Sequence, residues 1–173
     1  MDLDATDLQS HWDADKETMR PADTPDELQA EIDAAPAPAE RLLLWAMRGW
    51  ASLRTNKRPP QPWAHQALTT RASQRTAALF IAWMQALEAG QRRPLALGCD
   101  GCGAMSQDEA RLILACGLAS SASAASTKLL EPLVHEPEAV IVLASTLGKA
   151  LAASGWPLPV RRSPAAAAAA TLH

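Results

Sequence analysis

The chain has 173 residues, 48% of them hydrophobic. This length is enough for one domain with a buried core and too short for two. No apolar run approaches the roughly 20 residues that cross a bilayer, and the acidic N-terminal residues do not resemble a signal peptide. Three cysteines are not typical of a disulfide-stapled secreted domain. We therefore expect a cytoplasmic protein with reduced thiols and no membrane contact.

The net charge of −3 conceals an uneven distribution of charged residues along the chain. Residues 1–40 hold twelve acidic and two basic residues, whereas residues 41–173 hold seven acidic and fourteen basic ones. An acidic arm therefore precedes a modestly basic body. Such an arm can simply solvate the chain, or it can cover a basic surface and compete with an anionic partner.

The residue types favour helices over sheet. There is one Phe and no Tyr, and the large rings are six tryptophans. Leucine and alanine, which favour helix, supply most of the apolar residues, and β-branched residues are scarce. The composition predicts an all-α protein, an irregular bundle of five or six helices with a disordered acidic N-terminal arm and a frayed Ala-rich C-terminal tail.

The first half of the chain is predicted in this order. Residues 1–23 form the disordered arm, Thr24 caps a short helix that ends near Ala34, and a Pro-rich linker follows. Apolar residues recur at helical spacing from Ala39 onward, with three arginines expected on the solvent side of that helix. These arginines are Arg41, Arg48 and Arg54.

Two further helices are expected before the cysteines. Prolines between residues 56 and 62 predict a loop, and a short helix is expected over 63–70. A second strongly amphipathic helix covers 73–89, and Gly90 is expected to end it in a left-handed conformation.

The second half of the chain predicts three more helices. Ser106 and Glu109 form a capping-box pattern, so a central helix is expected to start there. It fades in the serine-rich residues after 119, and Ser126 is expected to cap a short helix. A last helix opens at Pro137 and stops at Gly155, so residues 24–156 form one helical domain and 157–173 a flexible tail.

The main sign of site chemistry is a pair of cysteines, Cys99 and Cys102, in a glycine-rich turn. The turn resembles half of a zinc knuckle, and tetrahedral zinc would need two more ligands, for which Cys116 and His135 are the candidates. An iron–sulfur cluster would need the same three thiols and a fourth ligand. However, Cys116 lies ten residues into the next helix, about 15 Å along it by helical rise.

Two readings of the cysteine turn need no metal. The pair could form a disulfide and serve as a thiol-redox sensor, since Cys102 closely precedes a helix N-terminus. Alternatively, Cys116 is an ordinary core residue and the other two cysteines only fill the turn. The sequence leaves these readings open, so zinc is retained as a cofactor hypothesis beside the expectation of none.

Tryptophan and arginine, which are enriched in binding hot spots, predict a protein interface between residues 45 and 75. The interface residues we select are Trp50, Arg54, Trp63, Arg71 and Arg75. The basic residues of this region, with Lys57 and Arg58, could also contact nucleic acid phosphates. The pI near 5.8 and the lack of a helix-turn-helix pattern argue against nucleic acid.

The sequence contains no recognisable catalytic constellation. His65 and His135 belong to no known signature, and the acids Asp108 and Glu109 are explained by the start of a helix. Our first hypothesis is a non-catalytic accessory or regulatory protein that acts through contact with another protein. The alternatives are a metal-binding or thiol-redox domain built on Cys99 and Cys102, and a nucleic-acid-binding regulator.

Overall fold

The computed structural model describes residues 36–99 and 101–160, which form six helices and no strand. The chain divides into two units, residues 1–34 and 35–173, and all described residues belong to the second. The helices are α1 (Pro38–Thr55), α2 (Gln61–Arg71), α3 (Gln74–Gly90), α4 (Gln107–Leu118), α5 (Ser123–Leu130) and α6 (Pro137–Ala153). The all-α prediction is confirmed. The acidic arm, the helix predicted over 25–34 and most of the C-terminal tail lie outside the described residues.

The starts of the helices follow from local chemistry. In α1, Pro38 occupies the first turn, where no backbone N–H is needed, and the Glu40 carboxylate accepts the Ala37 N–H at 2.7 Å. Ser73 caps α3 by accepting the Thr76 N–H at 3.1 Å. α2 begins at Gln61, slightly earlier than predicted, because Pro62 is accommodated in its first turn.

Two predicted helix boundaries are corrected by tertiary contacts. Gly90 is the last residue of α3 and does not adopt a left-handed conformation; the chain instead leaves the helix extended at Gln91, which forms an isolated antiparallel bridge with Val134. Ser126 does not cap α5, because its hydroxyl is buried and donates to the Ala115 carbonyl at 2.9 Å. The predicted stop at Gly155 is confirmed by its φ of +84°.

The helices share one apolar core. α3 packs against α2 and α6, α4 packs against α5 and α6, and α1 contacts both α2 and α4. Three rings, Trp50, Phe80 and Trp83, are almost fully buried at the centre. Phe80 lies 6.1 Å from Trp50 and 6.3 Å from Trp83, centroid to centroid, in tilted or edge-on geometries that aromatic pairs prefer.

Among the helices described here, none combines the length and the apolar character that a membrane-spanning segment requires. The long loop between α3 and α4, residues 91–106, carries the cysteine pair, and we call it the cysteine loop. It crosses the side of α1 that the sequence predicted to face solvent.

Candidate functional site

Cys99 and Cys102 lie on the exposed part of the cysteine loop and are joined by a disulfide bond. Their Cα atoms are 5.4 Å apart, inside the range that a disulfide requires. The Cys102 N–H donates to the Cys99 carbonyl at 3.2 Å, and Gly101 between them has a φ of +86°. This structure holds the pair as a disulfide, not as the reduced thiols expected from the sequence, and the glycine turn brings the two sulfurs together.

A buried ion pair lies directly beneath this loop. The Arg48 guanidinium of α1 donates to the Glu109 carboxylate of α4, with Nε–Oε1 at 2.8 Å and Nη2–Oε2 at 3.0 Å. The two side chains are only 7% and 0% exposed, so the charges are removed from water together. Such a pair needs further hydrogen bonds to offset the cost of desolvation.

The cysteine loop supplies those hydrogen bonds from both sides of the disulfide. Arg48 donates to the Cys102 carbonyl at 2.6 Å and to the Ala104 carbonyl at 2.8 Å. Glu109 accepts the Gly98 N–H at 2.8 Å and the Ser106 N–H at 2.7 Å. The residue that precedes Cys99 and the carbonyl of Cys102 are therefore held by the same ion pair, which we call the Arg48–Glu109 clamp.

Gly98 favours this close approach, because the loop backbone touches the guanidinium. A Cβ atom at Gly98 would lie 3.0 Å from Arg48 Nη2 and 3.2 Å from its Cζ, closer than ordinary contacts allow. A methyl group there would require the loop or the guanidinium to shift by a few tenths of an ångström.

The ionised form of Glu109 is favoured by its partners. Burial on its own raises the pKa of this carboxyl, but hydrogen bonds from Arg48 and from the Ser106 and Gly98 amides outweigh burial, and the pKa falls below its ordinary value. Glu109 thus stays charged inside the protein at neutral pH. The predicted capping box of Ser106 and Glu109 is confirmed, and Glu109 also binds Arg48 and the Gly98 amide.

A second anchor holds the start of the cysteine loop. Asp108 forms a bidentate ion pair with Arg93, both contacts at 2.7 Å, and accepts the Ala96 N–H at 2.8 Å. The Arg93 hydrogen bonds lower the pKa of Asp108, although burial opposes them. Both acids of the first turn of α4 therefore bind the loop, and the exposed disulfide rests on a fixed base.

The structure does not bring the four predicted metal ligands together. Cys116 is buried on α4, and its thiol donates to the Ala144 carbonyl at 3.5 Å, whereas Cys99 and Cys102 are exposed and bonded to each other. His135 follows α5 and is tied through its backbone N–H to the Gly90 carbonyl. In the described ranges, no three His, Cys, Asp or Glu side chains are placed to hold a metal ion.

Burial also makes Cys116 chemically distinct from the other cysteines. The absence of solvent around its sulfur raises the pKa of the thiol to about 12. The thiolate is the reactive form of cysteine, so Cys116 is inert at neutral pH. The Cys99–Cys102 pair is consequently the accessible sulfur chemistry of this chain, which has three cysteines in all.

The predicted interface residues fall into two groups: the first is Trp50, Arg54 and Arg75, and the second is Trp63 and Arg71. Trp50 is 1% exposed and is a core residue; its indole N–H donates at 2.7 Å to Glu88, which also forms an ion pair with Arg54. A large ring packed against Phe80 cannot act as an exposed anchor. Arg75 is exposed in the first turn of α3.

The second group forms a surface cluster on α1 and α2. Trp63 is half-buried and lies across Gly49, and its ring centroid is 5.2 Å from that of Trp45. The Arg71 guanidinium stacks 4.2 Å from the Trp45 ring centroid. Beside this cluster is an open groove of about 420 Å³. Its lining residues are Pro38, Arg41, Leu42, Trp45, Arg71 and Trp156.

The residues proposed for nucleic-acid contact lie near the loop between α1 and α2. Lys57 and Arg58 are exposed in that loop, with Lys57 at a φ of +54°. Arg54 forms an ion pair with Glu88, so part of the positive charge of this region is balanced within the protein. Nucleic-acid binding stays a prediction.

Sequence reasoning missed Arg48, the central residue of the site, by assigning it to the solvent side of α1. Arg48 is two residues from both Ala46 and Trp50, so it does point away from the core side of the helix. The cysteine loop covers that side, and the partner Glu109 is 61 residues away in sequence. The excess of glycine in the loop was the available signal of a close backbone approach.

No protein-family model, curated protein or solved structure matches this chain.

Proposed function

We propose that the protein is a redox-responsive accessory protein whose Cys99–Cys102 pair alternates between a disulfide and a dithiol. The observation that carries this proposal is an exposed disulfide whose two ends are fixed to a buried ion pair. Exposure gives an external thiol access to the sulfurs, and the anchored ends keep the two cysteines in register for re-oxidation.

The exchange needs only external thiols. A thiolate attacks the Sγ of one cysteine, forms a mixed disulfide and releases the other cysteine as a thiolate, which takes up a proton. A second external thiolate then attacks the sulfur of the first external thiol in the mixed disulfide. This releases the remaining cysteine as a thiolate, which is also protonated. Two electrons and two protons pass to the protein, and the two external thiols leave as a disulfide.

The experiment is a redox titration in buffers of reduced and oxidised glutathione. The protein is equilibrated, quenched with acid and alkylated, and its mass counts the free thiols. We expect two thiols to appear in a single two-electron transition, and the same transition in the Cys116→Ser control. Cys99→Ser should abolish the two-thiol transition and leave Cys102 to form a mixed disulfide with glutathione at oxidising ratios only. A pair that stays wholly oxidised or wholly reduced over all ratios would end the proposal.

A separate observation favours contact with another protein as a second function. The groove between Pro38 and Trp156 carries two guanidinium groups, from Arg41 and Arg71, and the half-buried Trp45 ring. Neither guanidinium is within salt-bridge distance of a carboxylate in the part of the chain that the structure describes. Charge complementarity fits an acidic partner segment that carries an apolar side chain, and we infer that such a segment docks here.

This second proposal is tested with a synthetic peptide of alternating glutamate and leucine residues. We expect binding that quenches tryptophan fluorescence, weakens with salt, and falls several-fold in Arg41→Ser. Arg75→Ser is the matched control, because Arg75 is exposed but does not line the groove. Binding unaffected by Arg41→Ser, or a concentration-dependent dimer that excludes the peptide, would count against the proposed partner.

A further inference from the structure

The contacts of the Arg48–Glu109 clamp bear on the chemistry of the disulfide, and the inference from them rests on the redox function proposed above. Within the described part of the loop, four contacts of the clamp are with backbone groups on both sides of the cysteines: the Gly98 and Ser106 amides and the Cys102 and Ala104 carbonyls. None of these contacts uses a sulfur atom. The clamp can therefore hold the loop in place whether the sulfurs are bonded or reduced.

Without this anchor, few contacts would keep the two sulfurs of the loop close to each other. Glycines precede, separate and follow the cysteines, so the free segment could adopt many conformations. Closing a disulfide in such a segment costs conformational entropy, and a scaffold that has already fixed the ends reduces that cost.

We propose that Arg48 and Glu109 are positioning residues that set the reduction potential of the Cys99–Cys102 disulfide. By holding the amide before Cys99 and the carbonyl of Cys102, the clamp raises the effective concentration of one thiol at the other. It thereby favours the disulfide over the dithiol. Loss of the clamp is expected to make the disulfide about tenfold easier to reduce, which corresponds to roughly 30 mV for a two-electron couple.

The test variant is the double substitution Arg48→Met and Glu109→Leu. Removing both partners avoids an unpaired buried charge and retains apolar volume, so the helices should still form. Gly98→Ala is the second variant, because its Cβ would press on Arg48 Nη2 and loosen the contact between the loop and the clamp while leaving both charged groups in place. Arg54→Met is the matched control: Arg54 is also on α1 and also ion-paired, but its partner is Glu88.

Each variant is titrated with glutathione, and its helical content is checked by circular dichroism in both redox states. We expect the midpoint to shift about tenfold toward the dithiol in the double variant, less in Gly98→Ala, and not at all in Arg54→Met. An unchanged midpoint in the two clamp variants, with helicity retained, would overturn the positioning role.

The outcome for the wild-type chain separates the two proposals. If the wild type shows no thiol–disulfide transition, the proposed function fails. If the wild type shows the transition and the clamp variants have the same midpoint, the function stands and the role of the clamp is rejected. A double variant that does not fold leaves Gly98→Ala to decide, since that substitution keeps the ion pair and perturbs only the approach of the loop.

Discussion

Breaking the Arg48–Glu109 clamp on one side should cost far more stability than removing it altogether. In Arg48→Met, the carboxylate of Glu109, which is 0% exposed, loses both guanidinium contacts and keeps only two backbone amides. An unpaired buried charge of this kind typically costs about 3–5 kcal/mol. The Cys102 and Ala104 carbonyls also lose their donor, at about 1 kcal/mol each if they are not rehydrated.

The double variant Arg48→Met with Glu109→Leu buries no unpaired charge, so its cost should be well below the sum of the two single costs. We expect a coupling energy of about 2 kcal/mol or more in the double-mutant cycle. The assay is urea unfolding followed by circular dichroism for the wild type, both single variants and the double variant, all kept oxidised.

Arg54→Met provides the matched comparison. Its side chain is 47% exposed, and its ion pair with Glu88 should contribute less than about 1 kcal/mol. Additive single costs at the clamp, or an Arg48→Met cost no larger than that of Arg54→Met, would refute the view that the clamp is a buried, mutually dependent pair.

Three further outcomes follow from the structure. Gly49→Ala should destabilise by about 1–3 kcal/mol in thermal unfolding, because its Cβ would meet the Trp63 ring; an unchanged melting temperature would contradict that packing. The pKa of Glu109 is lower in the folded state than its unfolded value of 4.5, so its stabilising effect is complete above that pH and is lost as pH falls below it; stability measured from pH 6 to pH 3 should drop less steeply in Glu109→Gln. The oxidised native chain should show no thiol reactive toward a disulfide reagent and one after unfolding, since Cys116 is buried with a pKa raised to about 12; rapid native labelling would be incompatible with that burial.

The sequence predicts the helices well because their signals are local. Ser73 and Ser106 start helices through chemistry that is visible within a few residues, and Gly155 ends one through its positive φ. The left-handed conformation predicted for Gly90 was wrong, because the next residue, Gln91, forms a bridge with Val134. That partner is distant in sequence, and the bridge keeps the chain extended there.

The candidate site was only half visible in the sequence. The cysteine pair and the capping box are local patterns, whereas the clamp joins a helix to a loop that covers its polar side. Hydrophobic periodicity reports which face of a helix meets the core, and it carries no information about a loop that packs on the opposite face. Trp50 illustrates the same limit, because an interface tryptophan and a core tryptophan have the same pattern.

The most direct test of the account is the oxidation state of Cys99 and Cys102 in cells that express the protein. Cells are quenched with acid before, during and after an oxidant pulse, free thiols are alkylated, and the protein is analysed by mass spectrometry. We expect the pair to gain its disulfide on oxidation and to lose it on recovery, while Cys116 stays a thiol throughout. A pair whose state is the same before, during and after the pulse would contradict it.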